Sequence, residues 1–177
     1  MRRERTPFRK GIEGFSLIEI VVVCVLIGII AAVIIPPLHQ GVQSYAVSET
    51  RGDLTSQARQ GATRMIRELR NIQKEANNTP NLTAADATSI TFVDVLDNTI
   101  TFSLSGSTVQ RNSNPLVALS TLQIRYFSGN NTELTPLPLS AANRDHVRRI
   151  MVTLTLTEAG QTVSVTEQAF LRELSGL

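Results

Sequence analysis

One carboxylate stands where carboxylates are expensive. Glu19 lies inside the apolar stretch 15–35, and no other residue in that stretch is charged. An ionised side chain at the centre of a bilayer costs about 3 kcal/mol on insertion scales, and less near the edge. Glu19 sits only about 6 Å from the start of the stretch by helix rise. Two readings follow: the carboxylate snorkels to the interface, or it takes a cationic partner within the apolar layer. The stretch supplies no Lys or Arg. Proteolysis would supply a partner, because cutting between Gly14 and Phe15 frees an α-amine one helical turn from Glu19.

The other reactive residue types are sparse. Cys24 is the single cysteine, which excludes an intramolecular disulfide and any zinc site built on two cysteines. Among Val and Leu it reads as an apolar packing residue. His39 and His146 are too few for a multi-histidine metal centre. His146 follows Asp145 but accompanies no nucleophile motif, and it reads as a surface-loop residue. Asp94, Asp97, Asp145 and Glu158 could hold calcium only if the fold gathered them, and their spacing matches no calcium loop. No nucleophile elbow, phosphate loop or zinc signature occurs. Three Asn-X-Thr triplets, at Asn77, Asn81 and Asn130, carry meaning only on a eukaryotic secretory route. The expectation is a chain without catalytic residues, metal or cofactor.

The chain has 177 residues, room for one ordinary domain. Its net charge of +2 is unevenly spread. Residues 1–14 hold Arg2, Arg3, Arg5, Arg9 and Lys10 against Glu4 and Glu13, and the remainder is slightly acidic. The basic character is therefore local and does not argue for a nucleic-acid-binding domain. The stretch 15–35, as a helix, spans about 31 Å, close to the hydrocarbon thickness of a bilayer. Basic residues precede it and none follows until Arg51, so the positive-inside rule puts the N-terminus in the cytoplasm and residues 39–177 outside. A secretory signal peptide is the competing reading, with Ala31-Ala32 as its cleavage site. The length of the apolar run and the carboxylate inside it count against that. Pro36-Pro37 removes two backbone donors and predicts a kink or break in the helix.

Gly14-Phe15-Ser16-Leu17-Ile18-Glu19, a basic leader before it and a spanning apolar helix after it together resemble the class III signal of type IV prepilins and pseudopilins. The resemblance implies that a prepilin peptidase cuts after Gly14 and N-methylates Phe15. It implies that Glu19 pairs with the terminal amine of a neighbouring subunit during assembly, and that Pro36 and Pro37 mark a bend or local unwinding of the helix.

Residues 42–76 read as an amphipathic helix, with Val42, Tyr45, Ala46, Leu54, Ala58, Ala62, Met65, Ile66, Leu69, Ile72 and Ala76 at three- and four-residue spacing. Arg64 and Glu68 form an i,i+4 pair. Gly41, Gly52 and Gly61 weaken the pattern. Arg51, Arg59, Arg64, Arg67, Arg70 and Lys74 read as a solvated face rather than a DNA strip, since no aromatic residues interleave to stack bases. Beyond residue 80 the period becomes two. Strands are predicted over 90–93 and 99–104 around an Asp97-Asn98 turn, then over 108–111, 122–126, 150–156, 163–165 and 168–172, with residues 128–146 a long loop. The Thr-rich alternation argues for an antiparallel sheet with one wet face.

The predicted organisation is a cytoplasmic leader over 1–14, a transmembrane helix over 15–38, an amphipathic extracytoplasmic helix over 39–78 and a β-rich domain over 79–177. The fold class is α+β and pilin-like, with the outer half of the helix laid on the antiparallel sheet. By layout the chain is most similar to PilW-like minor pilins and J-type minor pseudopilins. That resemblance implies a non-enzymatic minor subunit of a type IV pilus or type II secretion pseudopilus, acting in filament priming or at the tip. The implied partners are prepilin peptidase/methyltransferase, other pilin or pseudopilin subunits and the inner membrane, and not nucleic acid. A pilus-tip adhesin or DNA-binding receptor is the alternative, and salt-sensitive DNA binding would favour it.

Overall fold

The computed structural model describes residues 16–75, 77–118 and 120–171. Its first element is α1, Leu17–Leu69, 53 residues long. By contacts the chain divides into two units, Met1–Tyr45 and Ala46–Leu177.

In the first unit the described residues are helical from Leu17 onward, and nearly every side chain is exposed. Exposed Val, Leu and Ile on all faces are what a helix shows when its solvent is lipid. Helical geometry continues through Pro36 and Pro37, so of the two outcomes expected there, a break is not what the structure adopts. Each proline withholds one N–H from the carbonyl four residues earlier, at Ala32 and Val33. The hydrogen bonds before and after this gap keep the helix going.

In the second unit, α1 buries a stripe of Leu54, Ala58, Gly61, Ala62, Met65, Ile66 and Leu69. The spacing is that of one helix face. The helix ends at Leu69 rather than at Ala76, which lies outside the described residues. Ile72 extends the apolar period, but its backbone pairs with Asp94, while Gln73 N–H donates to the Val93 carbonyl and Val95 N–H to the Asn71 carbonyl. A long-range ladder takes the backbone groups that another helical turn would have used.

Eight strands follow: β1 Leu82–Ala85, β2 Ser89–Val93, β3 Thr99–Ser105, β4 Thr108–Arg111, β5 Asn114–Val117, β6 Ser120–Phe127, β7 Arg149–Glu158 and β8 Gln161–Phe170. They form two antiparallel sheets, β1-β2-β3-β4-β5 and β6-β7-β8, where the alternation predicted one. The α+β class holds. Strands 163–165 and 168–172 join into β8, with Arg172 outside the described residues. The segment 128–146 contains α2, Ala141–Asp145, whose first turn is capped by the Ser140 hydroxyl accepting from Asn143 N–H.

The inner faces of both sheets alternate as a period of two requires. Ile90, Phe92, Ile100, Phe102 and Val109 come from the larger sheet, and Leu122, Ile124, Tyr126, Ile150, Val152, Leu154 and Leu156 from the smaller; all are buried in one core with the helix stripe. The sheets are tied at the β1–β2 turn. Ile124 N–H donates to the Ala87 carbonyl at 2.7 Å, and the Tyr126 hydroxyl donates to the Asp86 carbonyl at 2.9 Å and the Ser89 carbonyl at 3.3 Å. Burial, with the Asp86 charge adding to it, holds the Tyr126 phenol well above the ordinary tyrosine pKa.

Candidate functional site

The residues singled out at the N-terminus divide into two sets. Gly14 and Phe15 lie outside the described residues, as does the whole 1–14 leader. Ser16 and Glu19 are described, and they lie at the start of α1. The Ser16 carbonyl accepts from Glu19 N–H at 3.0 Å and from Ile20 N–H at 3.3 Å. Ser16, Leu17, Ile18 and Glu19 therefore occupy the N-cap to N3 positions, the spacing of a capping box. A carboxylate in this first turn complements the positive end of the helix dipole. That local role is available to Glu19 in a single chain, and it leaves the carboxylate exposed.

No basic side chain among the described residues pairs with Glu19. The helix that carries it is long and apolar enough to cross a membrane, and the apolar part is not buried within the chain. Chemically the arrangement offers one acceptor near the end of a lipid-compatible helix. It suits a cation delivered at the same depth, and an amine placed one turn away on another chain meets that description. Cys24 lies on the same helix, exposed and unpaired by any disulfide among the described residues. His39 is hydrogen-bonded to Gln43 one turn on, at 3.0 Å.

The acidic residues weighed for calcium are dispersed. Asp94 and Asp97 share the β2–β3 turn, Asp145 ends α2 and Glu158 ends β7. Among the described residues no group of three His, Cys, Asp or Glu is close enough to hold a metal. Asp94 is occupied otherwise. Its Oδ1 accepts from Asn98 N–H at 2.9 Å and Leu96 N–H at 2.8 Å. The Asn98 amide leads in holding its pKa below the ordinary carboxylate value. Asp97 takes a positive φ of 63° at the turn and accepts from the Gln73 side chain at 2.6 Å. His146 is the C-cap of α2.

The Arg-rich face of α1 is partly explained by pairing. Glu68 accepts from Arg64 at 3.5 Å, the pair its spacing predicts, and from Arg111 of β4 at 2.6 Å. The second bond joins positions 43 apart in sequence and could not be read from spacing. Arg125 makes a bidentate pair with Glu133, whose pKa the guanidinium lowers by hydrogen bonding. Arg149 lies over the Phe127 ring, 4.1 Å from its centroid. These contacts position strands and loops, and none of them forms a catalytic constellation.

With this geometry in hand, comparison with known proteins gives one result. Residues 9–35 match the family model described as the prokaryotic N-terminal methylation motif. No curated protein and no solved structure matches the chain. The chain carries a type IV prepilin-like class III signal, and the matched segment includes Gly14, Phe15 and Glu19. In these residues the chain is similar to type IV prepilins and pseudopilins, and the described helix that follows is long and apolar enough to cross a membrane.

Proposed function

We propose that this chain is a minor subunit of a type IV pilus or a type II secretion pseudopilus. Prepilin peptidase cuts between Gly14 and Phe15 and methylates the Phe15 amine. The apolar helix holds the mature chain in the inner membrane with residues 39–177 on the extracytoplasmic side. On assembly, Glu19 accepts the Phe15 ammonium of a neighbouring subunit in a layer where water cannot screen the pair. The subunit acts in priming the filament or at its tip, and has no catalysis of its own. Pro36 and Pro37 are where the helix would bend or unwind within the filament.

The observation that carries this reading is the coincidence of three features on one segment: the methylation-motif match, the exposed apolar helix, and a lone carboxylate in its first turn. The processing step is tested by intact-mass analysis of the protein extracted from its membrane. The expected species begins at Phe15 and carries one added methyl group. A mature terminus near residue 33, or an uncut chain, would overturn the reading.

A further inference from the structure

Sheet edges expose unpaired backbone groups, and proteins normally guard them. Among the described residues, three of the four sheet edges are guarded. β1 has four residues and a register shift, and its Ala85 carbonyl accepts from Leu139 N–H. β5 has four residues, a register shift and Pro115. β6 is bridged through Phe127 to Glu133 and through Ile124 to Ala87. β8 is different. It runs ten residues without a register shift, contains no proline or lysine, and among the described residues has β7 as its only strand neighbour.

The hairpin fixes which groups are unpaired. Ala159 and Gly160, at φ of 48° and 75°, form the two-residue turn that closes on the Glu158–Gln161 pair. Alternation from that pair turns the N–H and C=O of Thr162, Ser164, Thr166, Gln168 and Phe170 away from β7. The Leu171 N–H bond to the Arg148 carbonyl keeps the same phase. Alongside this edge runs a groove of about 590 Å³, lined by Arg67 and Arg70 of α1 and by Glu167 and Phe170 of β8. Phe170 also lines a second hollow with Arg148 and Arg149. Arg67 and Arg70 bond no carboxylate among the described residues, whereas Arg148 donates to the Asp145 and Val147 carbonyls and Arg149 to Gln168 and Asn131. Phe170 is 60% exposed. An unguarded edge flanked by the two guanidiniums of Arg67 and Arg70 and by one carboxylate is complementary to an extended, acidic chain.

We propose that the edge of β8 receives an extended acidic segment of another filament subunit as an added strand, its carboxylates meeting Arg67 and Arg70. This rests on the proposed filament role. The test uses the full-length protein in its host, with a benzoylphenylalanine photo-cross-linker at Thr166 and, separately, at Ser164. Filaments are irradiated, the cross-linked peptide is sequenced by mass spectrometry, and the N-terminus is read from the same sample. The expected product joins β8 to an acidic segment of another subunit. Its yield should fall by about tenfold in the Arg67→Glu/Arg70→Glu variant. A cross-link to a neutral or basic segment, to a second copy of this chain, or a yield unchanged by charge reversal would overturn the proposal. So would a processed, incorporated chain that gives no cross-link, while leaving the filament role intact. An uncleaved Phe15 junction overturns the filament role and this inference with it.

Discussion

Gly61 weakens the helical pattern in sequence, and in the structure it lies against Val117 of β5. A Cβ built at Gly61 would lie 2.2 Å from Val117 Cγ2 and 3.4 Å from Leu154 Cδ1. Carbon atoms in contact sit at about 3.5–4.0 Å, so the first distance is short by more than an ångström. Val117 is β-branched and stiff at χ1, so a rotamer change cannot absorb this and the strand must shift. In a free helix Gly→Ala would add about 1 kcal/mol of stability. Overpacking a core costs about 1–3 kcal/mol. β5 is a short edge strand and can yield in part, so Gly61→Ala should lose about 1 kcal/mol net, a fall in Tm of a few degrees. The second unit has its own core, so a soluble fragment beginning near residue 40 should be folded and suited to urea unfolding followed by circular dichroism. The decisive step is the double variant. With Val117→Ala as background the obstruction is gone, and Gly61→Ala should become stabilising by about 0.5–1 kcal/mol. If Gly61→Ala has the same sign in both backgrounds, the close approach does not determine its effect.

Two further outcomes follow from the core and its rim. Tyr126 is the only tyrosine in a fragment that starts at Ala46, so phenolate absorbance there reports it alone. Its pKa is raised on folding, so the stability from its neutral phenol is complete below the unfolded value of about 10 and is lost as pH rises above it; absorbance should appear together with unfolding, and phenolate in a still-folded fragment would contradict this. Glu68→Ala removes the carboxylate shared by Arg64 and Arg111 at a site only 16% exposed. It should cost about 1 kcal/mol in the same urea assay, with Glu68→Gln milder because it keeps an acceptor for Arg111.

The sequence is most legible where physics is local. An apolar stretch with a single charge, a buried stripe at three- and four-residue spacing, and hairpins with Asp97 or Gly160 at their turns follow from neighbouring residues. α2 has only five residues and follows Pro136 and Pro138, so the stretch reads as loop. The misses depend on distant partners. β5 holds Asn114 and Pro115 and is a strand only because β4 pairs with it. The helix stops at Leu69 because Asn71 and Gln73 find β2. Division into two sheets cannot be read from alternation, which fixes faces and not neighbours. At the candidate site, burial cost singles out Glu19, while the role proposed for it comes from the class III resemblance. The open β8 edge was not legible, since it exists only relative to edges guarded by distant segments.

The filament role turns on what the Glu19 carboxylate meets. On the proposed reading, removing it would leave a buried ammonium on a neighbouring chain unpaired, at a cost of a few kcal/mol. Since each 1.4 kcal/mol is tenfold, incorporation should fall by about a hundredfold or more. The measurement is the fraction of Glu19→Ala protein recovered in purified filaments relative to the membrane, with the N-terminus of both pools determined. The expected chain is cut at Phe15, retained in the membrane and nearly absent from filaments, with Glu19→Asp closer to the parent. A Glu19→Ala chain that assembles as well as the parent would contradict it.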